Sequence, residues 1–173
     1  MSQELARLFF GLRLDDAARR AVAEAAGALR YEAGRLHPPQ NYHLTLRFLG
    51  MTDRRAIASL CDLADDALGE PFRLTLSGSM GVFRGGRVVW AGLEPSKRLM
   101  SLQAALNESL TGMGFDDPEE AYTPHITVGR GLRLIGPLPA VRKASFEAAR
   151  VTLFESARVD GALRDVPLNG ARV

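Results

Sequence analysis

The sequence contains little cysteine, histidine or lysine. Its single cysteine among 173 residues, Cys61, excludes an intramolecular disulfide and any metal site built from several cysteines. No apolar run approaches the ~18 residues that a membrane span requires. The first ten residues lack the basic and apolar segments of an export signal. We therefore expect a cytoplasmic protein that does not associate with membranes.

The charge balance is nearly even. The net charge is +2, so a polycationic nucleic-acid-binding protein is not indicated. Of the 22 basic residues, 20 are arginine and two are lysine. Planar guanidinium groups suit phosphate, although a compositional bias of the source genome explains the same excess. With 46% hydrophobic and 24% charged residues, the chain has a globular composition. We predict one domain over residues 1–173, made of two similar lobes.

Strand and helix patterns alternate along the chain, and no linker divides it. Apolar residues at helical spacing predict helices over 15–30, 52–69 and 96–110, the second with Thr52 as its N-cap. Alternating patterns predict strands over 7–12 and 72–77, around His43 and His125, on both sides of Gly85-Gly86, within 146–154 and over 166–168.

One four-residue pattern occurs twice. His43-Leu44-Thr45-Leu46 and His125-Ile126-Thr127-Val128 both read His-x-Thr-x with apolar x, and they use two of the three histidines. In a strand, each histidine and its threonine point to one face and the apolar residues to the other. Two imidazoles that face each other can take and give a proton near neutral pH. The repeated pattern therefore predicts a catalytic pair.

Other kinds of site are poorly supported by the sequence. A zinc site needs three or four ligands, but neither tetrapeptide contains Asp, Glu or Cys, and His37 lies beside two prolines. No Gly-x-Ser-x-Gly elbow and no P-loop occurs, and Cys61 lies on the apolar stripe of a predicted helix. We expect no metal and no cofactor.

Two arginines follow the motifs closely. By alternation, Arg47 shares the face of His43 and Thr45, whereas Arg130 falls opposite His125 unless Gly129 bends or ends the strand. The alternative for either arginine is an ordinary position on the protein surface. Four aromatic residues are candidates for stacking on a base: Phe9, Tyr42, Phe83 and Trp90. For Phe9, Phe83 and Trp90, ordinary core packing is the simpler explanation.

The whole chain resembles the bacterial and archaeal RNA 2′,3′-cyclic phosphodiesterases, also called 2′-5′ RNA ligases (the LigT/ThpR family of two-histidine phosphoesterases). The resemblance rests on four stretches of this sequence: residues 7–10, 38–50, 81–83 with 88–90, and 122–130. The chain departs from the family at Leu36-His37, where an apolar or aromatic residue is usual.

The resemblance implies an α+β fold of two pseudo-symmetric lobes, each an antiparallel-rich sheet with outer helices, and an active-site cleft between them. It implies metal-independent hydrolysis of RNA 2′,3′-cyclic phosphate ends to 2′-phosphomonoesters, with His43 as proton donor and His125 as proton acceptor. Thr45, Thr127, Arg47 and Arg130 are the expected substrate-binding residues.

Three other activities stay open at this stage. They are ligation or cleavage of 2′-5′ linkages, hydrolysis of a small cyclic phosphate such as a cyclic ADP-ribose derivative, and non-catalytic binding of RNA ends. Two titrating groups favour catalysis, since binding alone does not require them. We expect RNA ends as partners and a monomeric protein.

Overall fold

The computed structural model describes residues 4–170, which form nine strands and three helices. In chain order they are β1 (Leu5–Arg13), α1 (Asp16–Gly27), β2 (Arg35–Leu36), β3 (His43–Asp53), α2 (Ile57–Ala67), β4 (Phe72–Phe83), β5 (Val88–Leu93), α3 (Lys97–Gly112), β6 (His125–Arg130), β7 (Ser145–Ala148), β8 (Thr152–Val159) and β9 (Ala162–Pro167). Short 3-10 turns cover Pro39–Asn41 and Arg54–Ala56.

The strands form two antiparallel sheets. The four-stranded sheet has the order β3-β1-β8-β9, and the five-stranded sheet has the order β2-β6-β5-β4-β7. The strand of the first motif pairs with β1, and the strand of the second motif pairs with β5. Two antiparallel sheets with three helices confirm the α+β class. The prediction of one domain over 1–173 stays a prediction, and its ends, 1–3 and 171–173, lie outside the described residues.

The helices pack their apolar stripes on the sheets. Helix α1 contacts β6 and β7, whereas α2 contacts β8 and α3 contacts β3. Fully buried side chains from both sheets, including Phe10, Leu44, Ile126 and Phe146, belong to one continuous core. No helix within residues 4–170 combines the length and apolarity that crossing a membrane would need.

Local capping decides where the first and third helices begin. The Asp15 carboxylate accepts a hydrogen bond from the Ala18 N–H at 2.8 Å, and the Ser96 hydroxyl accepts one from the Leu99 N–H. Asp15 is therefore the N-cap of α1 rather than part of its first turn. The helix ends at Gly27, three residues before the predicted end at Arg30.

The prediction that Thr52 caps the second helix is wrong. Strand β3 continues to Asp53 because β1 extends to Leu5 and pairs with it, leaving Thr52 opposite Ala6 and buried. Asp53 instead accepts a hydrogen bond from the Arg55 N–H at the turn before α2.

The segment 146–154 is two strands rather than one, and the hairpin of β8 and β9 was not predicted. Asp160 and Gly161 form its turn with φ of 51° and 78°, as a tight type I′ turn requires. The Asp-Gly dipeptide is the sequence signal that would have found it.

Candidate active site

The two motif strands contact each other across the two sheets. Leu44 and Ile126 are fully buried in the core, so the histidine and threonine of each motif face away from it. The charges of His43 and His125 are close enough to interact. The structure therefore brings the two predicted histidines together.

The orientation of His43 is fixed at both ring nitrogens. Nδ1 lies 2.9 Å from the Asn41 carbonyl oxygen, and Nε2 lies 3.0 Å from Oγ1 of Thr45. A carbonyl oxygen only accepts, so Nδ1 carries the proton that it donates to Asn41. In the neutral ring, Nε2 is then the basic nitrogen and accepts from the Thr45 hydroxyl.

The second motif repeats this arrangement. Nδ1 of His125 lies 2.7 Å from the Thr123 carbonyl oxygen, again two residues earlier in the chain. Nδ1 therefore donates, and Nε2 is the basic nitrogen of the neutral ring. Thr127 shares its face of β6 with His125, because Ile126 and Val128 between and after them are buried.

Aromatic rings pack against both imidazoles. The Phe9 ring centroid lies 4.6 Å from that of His43, and Phe154 lies 5.6 Å from it. Phe83 meets His125 edge-on at 4.9 Å, and Trp90 lies 6.4 Å away. These rings restrict the movement of the histidines and lower the local polarity.

Tyr42, the fourth aromatic candidate, is 4% exposed and belongs to the core. Stacking on a base is therefore wrong for this residue. Because Tyr42 directly precedes His43, alternation directs its side chain away from the face of His43 and into the core.

Glycines leave room for the packed rings. A Cβ at Gly81 would overlap the indole of Trp90, which lies directly across the strand pair from it. A Cβ at Gly11 would lie 3.0 Å from the Leu44 carbonyl oxygen and 3.3 Å from the Phe154 ring. Both positions therefore favour glycine for reasons of space.

Asp165 of β9 is a site residue that the sequence analysis missed. Its Oδ2 lies 3.5 Å from Nδ1 of His43, and its Oδ1 accepts a hydrogen bond from the Ser156 hydroxyl at 2.8 Å. The side-chain amide of Asn41 donates a hydrogen bond to the carbonyl oxygen of Leu163, which also lies in β9. Strand β9 therefore brings a carboxylate to the first motif only.

His37 also lies near this charge cluster. Its backbone N–H donates to the Val128 carbonyl at 2.8 Å, which continues the pairing of β2 with β6. Burial and the Arg130 charge lower the pKa of His37, while Asp165 raises it. The departure at Leu36-His37 thus introduces a third imidazole beside the histidine pair.

Arg130 reaches the face of the histidines through a bulge. Val89 pairs with Gly129, but Trp90 pairs with Thr127, so Val128 is an extra residue in β6. The bulge reverses the alternation of the side chains that follow it, so Arg130 lies on the same face as His125. The sequence predicts this face only if the strand bends at Gly129, and the bulge lies one residue earlier. A Cβ at Gly129 would lie 3.0 Å from the Arg35 carbonyl oxygen, which explains the glycine.

The prediction that Arg47 shares the face of His43 is wrong. Phe10 pairs with Arg47 and Gly11 with Thr45, so Leu46 is an extra residue in β3. Arg47 therefore turns towards α3. Its guanidinium donates to the Asn107 side chain at 3.0 Å and to the Asp116 carbonyl.

Burial lowers the pKa of both histidines below the ordinary value, and neighbouring groups act on them differently. Asp165 and the Asn41 carbonyl raise the pKa of His43, while Arg130 and His125 lower it. For His125, the Thr123 carbonyl raises the pKa and Arg130 lowers it. Only His43 has a carboxylate that stabilises its charged form. Within residues 4–170, no three His, Cys, Asp or Glu side chains are arranged to hold a metal ion.

Comparisons with known proteins place the chain in one family. A sequence profile described as the 2′-5′ RNA ligase superfamily matches residues 14–160. The RNA 2′,3′-cyclic phosphodiesterase of Methanothermobacter thermautotrophicus is 34% identical over 166 residues, which cover 87% of this chain and 89% of that protein. The enzyme of that name from Escherichia coli K12 is 31% identical over 94% of this chain and 93% of that protein.

Solved structures give the same result. A crystal structure of E. coli LigT complexed with 3′-AMP aligns with a TM-score of 0.83 at 31% identity, covering 95% of this chain and 96% of that one. A crystal structure described as a phosphoesterase aligns with a TM-score of 0.84 at 30% identity over the same shares.

Proposed function

The chain belongs to the 2′-5′ RNA ligase superfamily, and we propose that it hydrolyses 2′,3′-cyclic phosphates at RNA ends with its two His-x-Thr-x motifs and without a metal ion. The observation that carries this proposal is the pair of similarly hydrogen-bonded histidines on two contacting strands, of which only one has a carboxylate neighbour. The names of the E. coli and M. thermautotrophicus relatives support the substrate class.

His125 is the general base. Its Nδ1 donates to Thr123, so the lone pair of Nε2 is available to take a proton from the attacking water. Burial and Arg130 lower the pKa of His125, which favours the neutral form that a base needs.

His43 is the general acid. As water attacks phosphorus, the bond from phosphorus to the 3′ oxygen breaks, and Nε2 of His43 donates its proton to that oxygen. Asp165 favours the charged form of His43, and the substrate phosphate favours it further. The product is a 2′-phosphomonoester with a free 3′ hydroxyl, and proton exchange with solvent restores both imidazoles.

Thr45, Thr127 and Arg130 stabilise the charge on phosphate. The hydroxyls lie on the same faces as the imidazoles and donate to non-bridging oxygens. Arg130 supplies a fixed positive charge whose effect extends to both histidines. Arg47 has hydrogen-bonding partners on α3 and in the following loop, so its role in this proposal is to support β3 behind Thr45.

A turnover assay with a short RNA that ends in a 2′,3′-cyclic phosphate tests the proposal. With EDTA in excess, we expect hydrolysis at the same rate as without it. A rate that EDTA abolishes and a divalent ion restores would replace the metal-free mechanism with a metal-dependent one. Binding of the RNA without hydrolysis would instead identify an RNA-end-binding module.

The same assay separates the other enzyme activities. A 2′-5′-linked dinucleotide and a cyclic phosphate of ADP-ribose serve as competing substrates. We expect a lower kcat/KM on both than on the RNA, and a higher value on either would move the proposal to that substrate.

A further inference from the structure

A basic surface lies at the end of β6, the strand that carries the second motif. A groove of about 570 Å³ lies between the end of β6 and the turn that joins β4 to β5, and it is lined by Arg84, Gly85, Arg87, Val88, Arg130 and Gly131. We call it the arginine groove. Three of its six lining residues are arginines, so it has the composition of a site for a polyanion.

The backbone fixes the position of these arginines. Arg84 has φ of 53° and begins the tight turn, which Gly85 and Gly86 complete with positive φ. Val88 pairs with Arg130, and the Leu132 N–H donates to the Arg87 carbonyl at 3.3 Å. The groove is therefore built on strand ends and a tight turn.

The arginines of the groove form no salt bridges within residues 4–170, and Asp165 is the carboxylate whose charge reaches Arg130. None of Arg84, Arg87 and Arg130 forms a salt bridge with a carboxylate among the described residues, whereas Arg54, Arg55 and Arg142 elsewhere each do. Burial, followed by the charges of Arg84 and Arg7, lowers the pKa of Arg130, while Asp165 raises it, so like charges lie near one another. Such repulsion is relieved when an anion binds.

Arg130 belongs to both the groove and the histidine site. Its charge acts on His43 and on His125, and its side chain lines the groove beside Arg84. The groove therefore begins where the site for the cyclic phosphate ends. A ligand that extends from the histidines past Arg130 would place its next anionic group in the groove.

We propose that the arginine groove binds the phosphodiester on the 5′ side of the nucleotide that carries the cyclic phosphate. This inference rests on the proposed function. A cyclic phosphate occupies the 2′ and 3′ oxygens, so the remaining RNA leaves that ribose through its 5′ oxygen and carries its next negative charge there. The groove thus makes the enzyme specific for oligonucleotide ends over cyclic mononucleotides.

The test compares three substrates that end in the same cytidine 2′,3′-cyclic phosphate: the mononucleotide with a 5′ hydroxyl, the mononucleotide with a 5′ phosphate, and a tetranucleotide. We expect Arg84→Gln and Arg87→Gln each to lower kcat/KM on the tetranucleotide about tenfold, as for one lost charge-assisted hydrogen bond. The value for the mononucleotide with a 5′ hydroxyl should not change. Activity on the 5′-phosphorylated mononucleotide distinguishes a site for any phosphate from one for a continuous chain.

Binding supplies a second readout that does not need catalysis. A labelled tetranucleotide ending in a 2′-phosphate should bind with an affinity that falls as salt rises, and each variant should make the log–log slope shallower by about 0.7. Arg20→Gln, an exposed arginine on α1, is the matched control and should leave the slope unchanged.

The outcomes separate the two proposals. If no cyclic phosphate is hydrolysed but the slope depends on Arg84 and Arg87, the proposed function fails and the groove stands. If all three substrates are hydrolysed equally well and the slope is the same in both variants, the groove is overturned and the proposed function stands.

Discussion

Nδ1 of His43 lies 3.5 Å from Oδ2 of Asp165, although the two residues are 122 positions apart in the sequence. Both side chains are largely buried, with 17% and 13% of their surfaces exposed. The causes that shift the pKa of His125 include no carboxylate. Two motifs that are almost identical in sequence therefore have different electrostatic surroundings, and the proposed assignment of His43 as the acid and His125 as the base rests on this difference.

Replacing Asp165 tests that asymmetry. The Asp165 charge raises the pKa of His43, so removing that charge in Asp165→Asn should lower the pKa of His43. The side-chain oxygen of the asparagine can still accept the hydrogen bond from the Ser156 hydroxyl. His43 must be protonated to act as the acid. We therefore expect the alkaline limb of the kcat/KM profile to move to lower pH and the rate at neutral pH to fall.

The groups that act on His43 from its other sides are Asn41, Arg130, His125 and His37, and the substitution leaves them in place. Asp66→Asn, at an exposed position on α2, is the control and should leave both limbs unchanged. Movement of the acidic limb instead would make His43 the base and contradict the assignment.

Each histidine of the pair is expected to be essential. His43→Ala and His125→Ala should each lower kcat by about 10²–10⁴-fold, the usual contribution of a general acid or base. The double variant should lose much less than the product of the two effects, because both residues act in one transition state.

The third histidine provides the matched control. His37→Ala should reduce kcat by less than about tenfold, below the range expected for a general acid or base. Thermal melting checks that all variants fold. Near wild-type turnover in either motif variant would rule out the two-histidine mechanism.

Gly81 pairs with Trp90 across two strands and leaves room for the indole that packs near His125 of the second motif. Gly81→Ala forces the indole away from its strand, and the displaced ring lies beside His125 and Phe83. We expect a loss of about 1–3 kcal/mol of unfolding free energy, as for other overpacked sites, together with lower turnover. Urea denaturation measures the first effect.

Gly27→Ala is the control for this prediction. Gly27 is the last residue of α1, and no atom lies within 4 Å of an added Cβ. Alanine there should stabilise the protein by about 0.4–1 kcal/mol. Equal stability of Gly81→Ala and the parent protein would mean that Trp90 has room to move.

The motif residues could be predicted from the sequence because they depend on local alternation. The apolar partners Leu44 and Ile126 decide the face of each strand, and the fold buries both. Tight hairpins also depend on local sequence, so the turn at Gly85-Gly86 could be predicted. The turn at Asp160-Gly161 carries an equally local signal in its Asp-Gly dipeptide.

The positions of Arg47, Arg130 and Asp165 could not be predicted from the sequence, because they depend on bulges and on long-range pairing. An extra residue at Leu46 turns Arg47 to the helix side, and an extra residue at Val128 turns Arg130 to the cleft. Both depend on the partner strand, which the local pattern does not contain. Asp165 reaches His43 only because distant segments meet, and no spacing along the chain predicts that contact.

Phosphorus NMR of the product tests the central claim most directly. The parent enzyme, in EDTA, is given an RNA with a 2′,3′-cyclic phosphate end. With His43 as the donor to the 3′ oxygen, the product should carry a 2′-phosphate and a free 3′ hydroxyl. A 3′-phosphate would mean that the bond from phosphorus to the 2′ oxygen breaks, which would contradict proton donation by His43 to the 3′ oxygen, and an unhydrolysed cyclic phosphate would contradict the account as a whole.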